Sequence, residues 1–246
     1  MRIENSVALV TGANRGLGKA YAEALLAAGA AKVYAGARDP AAISDPRLTP
    51  VRLDVTSPAD IAAATERCGD VHILINNAGA MLMKSALAPG SEAAMRQEME
   101  VNVFGLLAMA RAFAPALKRN GGGALVNMLS VVSWFAVPMN ATYCASKHAA
   151  LAISDALRIE LKAQGTHVVG VYAGFIDTDM AAGIDAPKTS PQQVAERSLD
   201  GIRNGLDHVL ADARAEEIWH ASRTDAAGLA AQQQQRWDAL AKARAS

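Results

Sequence analysis

Tyr143 and Lys147 stand four residues apart in Tyr-Cys-Ala-Ser-Lys, and Ser130 lies thirteen residues before the tyrosine, closing the apolar run Leu125-Val126-Asn127-Met128-Leu129. On a helix, positions i and i+4 share a face, so the Lys147 ammonium can lie beside the Tyr143 phenol and favour its ionised form. A phenol with its ordinary pKa of about 10 is a poor proton relay near neutral pH until such a charge lowers it. With a hydroxyl from Ser130, the three groups could polarise a carbonyl oxygen and exchange a proton with it. Tyr-x-x-x-Lys also occurs on helices that do no chemistry, so the surrounding chain has to decide.

Short apolar runs alternate with longer helical patterns along the whole chain. Strands are expected at Val7-Ala8-Leu9-Val10, Val33-Tyr34-Ala35, Val51-Arg52-Leu53, Ile73-Leu74-Ile75, Leu125-Val126-Asn127, 168–172 and Val209-Leu210. Helices are expected over about 17–28, 59–67, 91–118, 143–163 and 191–204. Continuous apolar strands alternating with helices imply an α/β fold: a doubly wound, Rossmann-like parallel sheet covered on both faces. A length of 246 residues with 51% hydrophobic composition suffices for a sizeable core, and no linker divides the chain, so 1–246 reads as a single domain. Residues 221–246 change character at Gln232-Gln233-Gln234-Gln235 and form a C-terminal extension, open between a surface helix, a tail onto a neighbouring subunit and a disordered end.

Directly after the first strand comes Thr11-Gly12-Ala13-Asn14-Arg15-Gly16-Leu17-Gly18, leading into a helix. Glycines allow a tight turn and a close backbone approach to a pyrophosphate, and the helix N-terminus supplies unpaired N–H groups and a positive dipole end.

These motifs, in this order and spacing, resemble the short-chain dehydrogenase/reductase family over about residues 5–215. The octet matches that family's Thr-Gly-x-x-x-Gly-x-Gly, with Gly12, Asn14, Arg15, Gly16, Leu17 and Gly18 expected at the cofactor. Asn76-Asn77-Ala78-Gly79 follows the fourth strand, where the family steadies the sheet and lines the adenosine side with Asn77, Ala78 and Gly79. Asp54-Val55 corresponds to the usual adenine contact, and Asn102 matches the helix asparagine of the proton relay. Ser130, Tyr143 and Lys147 complete the tetrad.

The resemblance implies a mechanism. Ser130 hydrogen-bonds the substrate carbonyl, the nicotinamide delivers hydride, and Tyr143 protonates the developing alkoxide. Lys147 lowers the Tyr143 pKa and holds the nicotinamide ribose, while Asn102 holds a water joining Lys147 to solvent. Where the family commonly has Pro-Gly after the sixth strand, this chain has Ala173-Gly174, which is expected to loosen the turn. Ile176 and Thr178 remain placed for the carboxamide, and residues 179–190 are expected to form a mobile substrate lid.

The end of the second strand, Tyr34-Ala35-Gly36-Ala37-Arg38-Asp39, bears on cofactor choice. NAD enzymes of this architecture usually place a carboxylate here for the ribose 2′-OH. The matching position is Ala37, and the Arg38 guanidinium suits a 2′-phosphate, with Arg15 as assistant, so NADP(H) is expected. The rival reading makes Asp39 the ribose carboxylate and the enzyme NAD(H)-dependent.

The expected activity is therefore an NADP(H)-dependent interconversion of a ketone and a secondary alcohol. Alternatives are an NAD(H)-dependent alcohol dehydrogenase, an epimerase or dehalogenase on the same fold, and a non-enzymatic dinucleotide sensor. Halohydrin-dehalogenase-like members lack the lysine kept here, and a complete tetrad argues against the sensor. Met81, Met83, Trp134, Phe135, Met139 and Met180 flank these motifs, and about half are expected in the substrate pocket and half in the core.

Zero formal net charge gives no reason to expect a nucleic-acid partner or an anionic membrane surface. Five histidines without ligand spacing suggest no metal site, and Cys68 and Cys144 form no redox or metal motif. The first strand starts near Met1 and no apolar stretch is expected to approach the roughly 18 residues of a membrane span, so the chain reads as soluble and cytoplasmic. The resemblance further implies a homodimer or homotetramer built on helices 91–118 and 143–163, where Ile153, Leu157 and Leu161 recur at helical spacing.

Overall fold

The computed structural model describes residues 1–245. Seven strands, β1 (Val7–Thr11), β2 (Lys32–Ala37), β3 (Thr49–Arg52), β4 (Ile73–Asn76), β5 (Ala124–Met128), β6 (His167–Tyr172) and β7 (His208–Leu210), form one sheet in the order β3-β2-β1-β4-β5-β6-β7. Every pairing is parallel, as the continuous apolar runs require. The chain reverses direction across the sheet between β1 and β4, and in such folds ligands bind outside the carboxyl ends of the strands at that switch point.

Strand periodicity splits the core in two. Leu9, Leu74, Leu125 and Val168 face one side, with Met109, Phe113 and Leu117 of α4 (Leu106–Arg119) and Leu157 of α5 (Ala141–Glu160). Their neighbours Ala8, Val10, Ile73, Ile75, Val126 and Val169 face the other, with Tyr21 and Leu25 of α1 (Gly16–Ala27) and Val194 and Leu199 of α6 (Pro191–Asn204). Burial on both faces explains why the strands read as apolar runs rather than alternating ones. The remaining large helices are α2 (Pro58–Arg67), α3 (Ser91–Met99), α7 (Ala213–Thr224) and α8 (Ala226–Ala245).

The expected single helix over 91–118 is three pieces in continuous register: α3, a π-helical segment over Glu100–Gly105, and α4. Ser91–Arg119 is also long and apolar enough, by composition alone, to cross a membrane, contrary to the sequence expectation, but half of its apolar window is buried inside the fold. Leu157 and Leu161 are core residues and Ile153 packs against the same core, so that stripe is spent within the chain. Within the described residues the extension is mostly helical: α8 buries Leu229 and Gln233, and position 246 lies outside the described residues. Before it lies α7, which the sequence reading did not separate. Asp212 caps α7 by accepting the Ala215 N–H at 2.7 Å, a common N-cap arrangement.

Candidate active site

The glycine loop is held by its neighbours as much as by its own turn. Thr11 Oγ1 accepts the N–H groups of Asn77 and Ala78, both at 2.9 Å, and Asn77 Nδ2 donates to the Thr11 carbonyl at 2.9 Å. The Asn-Asn-Ala-Gly motif thus clamps the end of β1 to the end of β4. Gly12 and Gly16 have φ of +66° and +51°, a region that side chains with a Cβ rarely adopt. Gly18 is required for a different reason: a Cβ there would run into the Gly12 carbonyl oxygen and come within 2.6 Å of Asn77 Nδ2. Leu17 is buried behind the loop, whereas Asn14 and Arg15 are exposed. A Cβ on Gly16 would stand 3.1 Å from Thr178 Cγ2, so the segment carrying Gly174, Ile176 and Thr178 faces the glycine loop.

Arg38 is the first residue after β2 and is exposed. Asp39, the rival ribose carboxylate, instead caps the following turn by accepting the Ala41 N–H at 3.0 Å. Asp54 accepts from Thr56 N–H and Oγ1 at 2.9 and 2.7 Å, bonds that hold its carboxyl below the usual range. The adjacent Val55 packs where a Cβ on Gly105 would stand 2.8 Å from its Cγ2. Arg15 is ion-paired with Asp179 at 2.8 Å. That pair joins the glycine loop to the 179–190 segment; being exposed, it is worth at most about 1 kcal/mol.

Ser130, buried, opens a single turn after β5, its hydroxyl accepting the Val132 N–H at 3.3 Å. Tyr143 and Lys147 lie on consecutive turns at the start of α5, with Lys147 Nζ 5.6 Å from the phenol ring centre. The same Nζ donates to the Met128 carbonyl at 2.8 Å, one residue before Leu129-Ser130, which ties α5 to β5. Asn102 sits in the π-helical segment, where Nδ2 donates to the Ala80 carbonyl and to Ser146 Oγ (both 2.9 Å) and Oδ1 accepts the Ala80 N–H at 2.8 Å. Single π turns inside α-helices often mark functional sites because they redirect one side chain. All four tetrad residues thus belong to one cluster at the ends of β4 and β5.

The electrostatics correct one expectation. Lys147 does not bring the phenol below its ordinary value; burial, reinforced by Cys144 and Glu98, pushes Tyr143 up, with only the Ser130 hydroxyl opposing. Burial also brings Lys147 down to about 8. The loss of hydration destabilises both charged forms, and at 5.6 Å from the ring the ammonium does not reverse it.

The turn after β6 is a second correction. Instead of being loosened by the missing proline, it is fastened by buried Asp212, whose Oδ2 accepts the Gly174 N–H at 2.8 Å and the Thr189 hydroxyl at 3.2 Å. Backbone bonds Asp177 N–H to Thr189 O (2.9 Å) and Thr189 N–H to Phe175 O (2.8 Å) close the base of the loop between them. Of the six flanking methionines and aromatics, Trp134 and Phe135 pack against the core, Trp134 stacking on Tyr172 at 4.1 Å, Met81 and Met139 are half-buried, and Met83 and Met180 are exposed. Glu98 and Asp212 were missed by the sequence reading. Asp212 left a signal in its position ahead of Ala-Arg-Ala-Glu, an N-cap pattern, whereas Glu98 left none.

A parallel doubly wound sheet with a glycine loop at β1 and a Ser-Tyr-Lys-Asn cluster at β4 and β5 defines a nicotinamide-dependent oxidoreductase. The comparisons are specific. Residues 6–189 match the family described as short chain dehydrogenase. Dehydrogenase/reductase SDR family member 7B of Bos taurus is 32% identical, over 85% of this chain and 74% of that protein. A short chain dehydrogenase from Burkholderia cenocepacia, solved in complex with NADP, is 43% identical with a TM-score of 0.91, covering 95% of this chain and 99% of that one. A Burkholderia phymatum short chain dehydrogenase/reductase in complex with NAD shares the fold at 23% identity and a TM-score of 0.81, covering 94% and 96%. The chain belongs to the short-chain dehydrogenase/reductase family. It is an oxidoreductase that binds a nicotinamide dinucleotide and a small-molecule substrate.

Proposed function

We propose that the protein is an NADP(H)-dependent carbonyl reductase, interconverting ketones and secondary alcohols, and that it works in the cytoplasm as a homodimer or homotetramer. The observation that carries the activity is the half-buried Tyr143, with Ser130 and Lys147 beside it and Asn102 on the π turn behind. When bound, the nicotinamide supplies the hydride. Ser130 donates a hydrogen bond to the carbonyl oxygen, and Tyr143 gives that oxygen its proton. Burial keeps the Tyr143 phenol in its protonated form, the form that reduction consumes. Lys147, with one N–H on Met128, keeps two for ribose hydroxyls. Asn102 is fixed through Ala80 and Ser146 at the site where a water would connect the lysine to solvent.

The cradle fits a dinucleotide, since the loop leaves no room for a Cβ at Gly18 and presents the start of α1. NADP(H) is favoured because Arg38 is exposed at the strand end while Asp39 is engaged as a cap. The 43% identical Burkholderia protein bound to NADP supports the same choice. Self-association is favoured by Phe104 and Ile159, which expose 55% and 77% of their surface on the π segment and α5. For the cytoplasm, the support is that Cys68 and Cys144 are both free and buried.

The test is kcat/KM for NADPH and NADH with a panel of aryl and aliphatic ketones, in wild type and Arg38→Ala. A charge-assisted bond to the 2′-phosphate is worth about 1.5–3 kcal/mol, so the NADPH/NADH ratio should fall roughly ten- to a hundredfold. A wild type that prefers NADH, or a ratio that Arg38→Ala leaves unmoved, returns the assignment to Asp39.

A further inference from the structure

Glu98, on the last turn of α3, is completely shielded from solvent. Its Oε1 accepts the Leu82 N–H at 2.6 Å, and its Oε2 is buried with no hydrogen-bond partner. Among the described residues no lysine or arginine forms an ion pair with it. Burying a carboxylate on one backbone N–H is costly, and an apolar side chain would serve helix packing better at this position. Its place is therefore explained by what it touches.

What it touches is the segment over residues 80–84, which runs from the relay asparagine to the catalytic helix and is pinned at three points. Asn102 brackets Ala80 through both the N–H and the carbonyl. The Lys84 carbonyl accepts the Thr142 N–H at 3.3 Å, one residue before Tyr143. Glu98 grips the middle, at Leu82. The grip is needed because the next residue, Met83, sits at φ +53°, which a non-glycine residue adopts only when its surroundings impose it. Leu82 and Met83 are among the exposed apolar side chains of the molecule, so this segment offers the site an apolar, solvent-open wall.

We propose, on the reading that this site is a carbonyl reductase, that Glu98 is a positioning residue for the acid/base chemistry: through its bond to Leu82 it fixes the 80–84 wall, whose far end is tied to the residue before Tyr143. Beside that role, Glu98 disfavours the ionised forms of Tyr143 and Cys144 on α5, burial being the larger cause for each. Lys147 stands beyond the Tyr143 ring. From the other elements around it, the segments over 76–83 and 131–140 carry no titratable side chain, and Lys84 is exposed. On α3 itself, Arg96 is paired with Glu92, and the following Glu100 is exposed.

Two variants separate the roles. Glu98→Gln keeps an acceptor oxygen for Leu82 and removes the charge; Glu98→Leu removes both. In ketone reduction with NADPH, a grip that works through the Leu82 bond predicts that glutamine keeps what leucine loses. Glu98→Gln should hold KM for the ketone and Leu82 amide protection within about twofold of wild type. In Glu98→Leu the Leu82 amide should exchange at least about tenfold faster, with KM for the ketone rising more than kcat falls. Unchanged Leu82 exchange and KM in a folded Glu98→Leu overturn the proposal, as does a Glu98→Gln as impaired as Glu98→Leu. If Glu98→Leu does not fold, Glu98→Gln still decides: loss of Leu82 protection together with a raised KM there overturns it. A wild type that reduces no ketone defeats the functional reading instead, and the Leu82 exchange measurement stands independently of it.

Discussion

Lys147 is buried at 5% exposure and held at about 8 from an ordinary 10.5, so the fold carries a charge it would rather not bury. At about 1.4 kcal/mol per pH unit, that difference amounts to about 3 kcal/mol of lost stability at pH 7. Lys147→Met replaces the ammonium by an unbranched apolar chain of similar length, at the expense of the hydrogen bond to Met128, worth about 1 kcal/mol. The variant, without nicotinamide cofactor, should therefore be more stable than wild type by about 2 kcal/mol at pH 7, while losing nearly all turnover. The sign is fixed by linkage. A lysine whose folded pKa is depressed binds more protons unfolded, so wild-type stability rises between about pH 8 and 10.5 and the advantage of the variant shrinks over that window. Urea unfolding at pH 7 and pH 9.5 reads this directly, and by pH 9.5 the charge penalty should fall to roughly half. A variant less stable than wild type at pH 7, or a gap of the same size at both pH values, would refute the claim that desolvation of this ammonium dominates.

Tyr143→Phe deletes the proton donor alone, and ketone reduction should fall by about 10²- to 10⁴-fold while NADPH affinity, followed by fluorescence titration, stays near wild type. Gly18→Ala forces a Cβ against the Gly12 carbonyl, a clash expected to cost about 1–3 kcal/mol in urea unfolding and to weaken NADPH binding at least about tenfold. Gly183→Ala, where a Cβ meets nothing within 4 Å, is the control and should leave stability unchanged. Light scattering at micromolar concentration should give a mass at least twice the 25.6 kDa of one chain; the monomer mass would reject self-association through Phe104 and Ile159.

Features encoded by neighbouring residues were legible in the sequence. The seven apolar runs mark the seven strands, and the glycine octet marks the β1 turn, since a steric requirement for glycine leaves its own signature. Tyr143 and Lys147 declare a shared helix face through spacing alone. What escaped depends on contacts between distant segments. Nothing around residue 98 says that a glutamate in a helical pattern is buried, because its partner, Leu82, lies sixteen positions away. The π segment at Glu100–Gly105 keeps the helical apolar pattern and is therefore invisible to it, although it carries the relay asparagine. The Tyr143 pKa went wrong for a related reason: spacing shows which charge is near, and only the packed structure shows how much water has been removed. Asp39 was ambiguous in sequence, and its bond to Ala41 weighs against the ribose role.

The carboxylate of Asp212 holds Gly174, Thr189 and the first turn of α7 at once, so both ends of the loop over 175–188 share an anchor that lies outside it. For protein engineering this means that loop is not a modular cassette. Grafting residues 175–188 from a relative whose turn is stiffened by proline would import a loop built for a different fastening. A successful exchange has to keep a hydroxyl at position 189 and leave Asp212 in place, while variation between those fixed points remains open for recruiting new substrates.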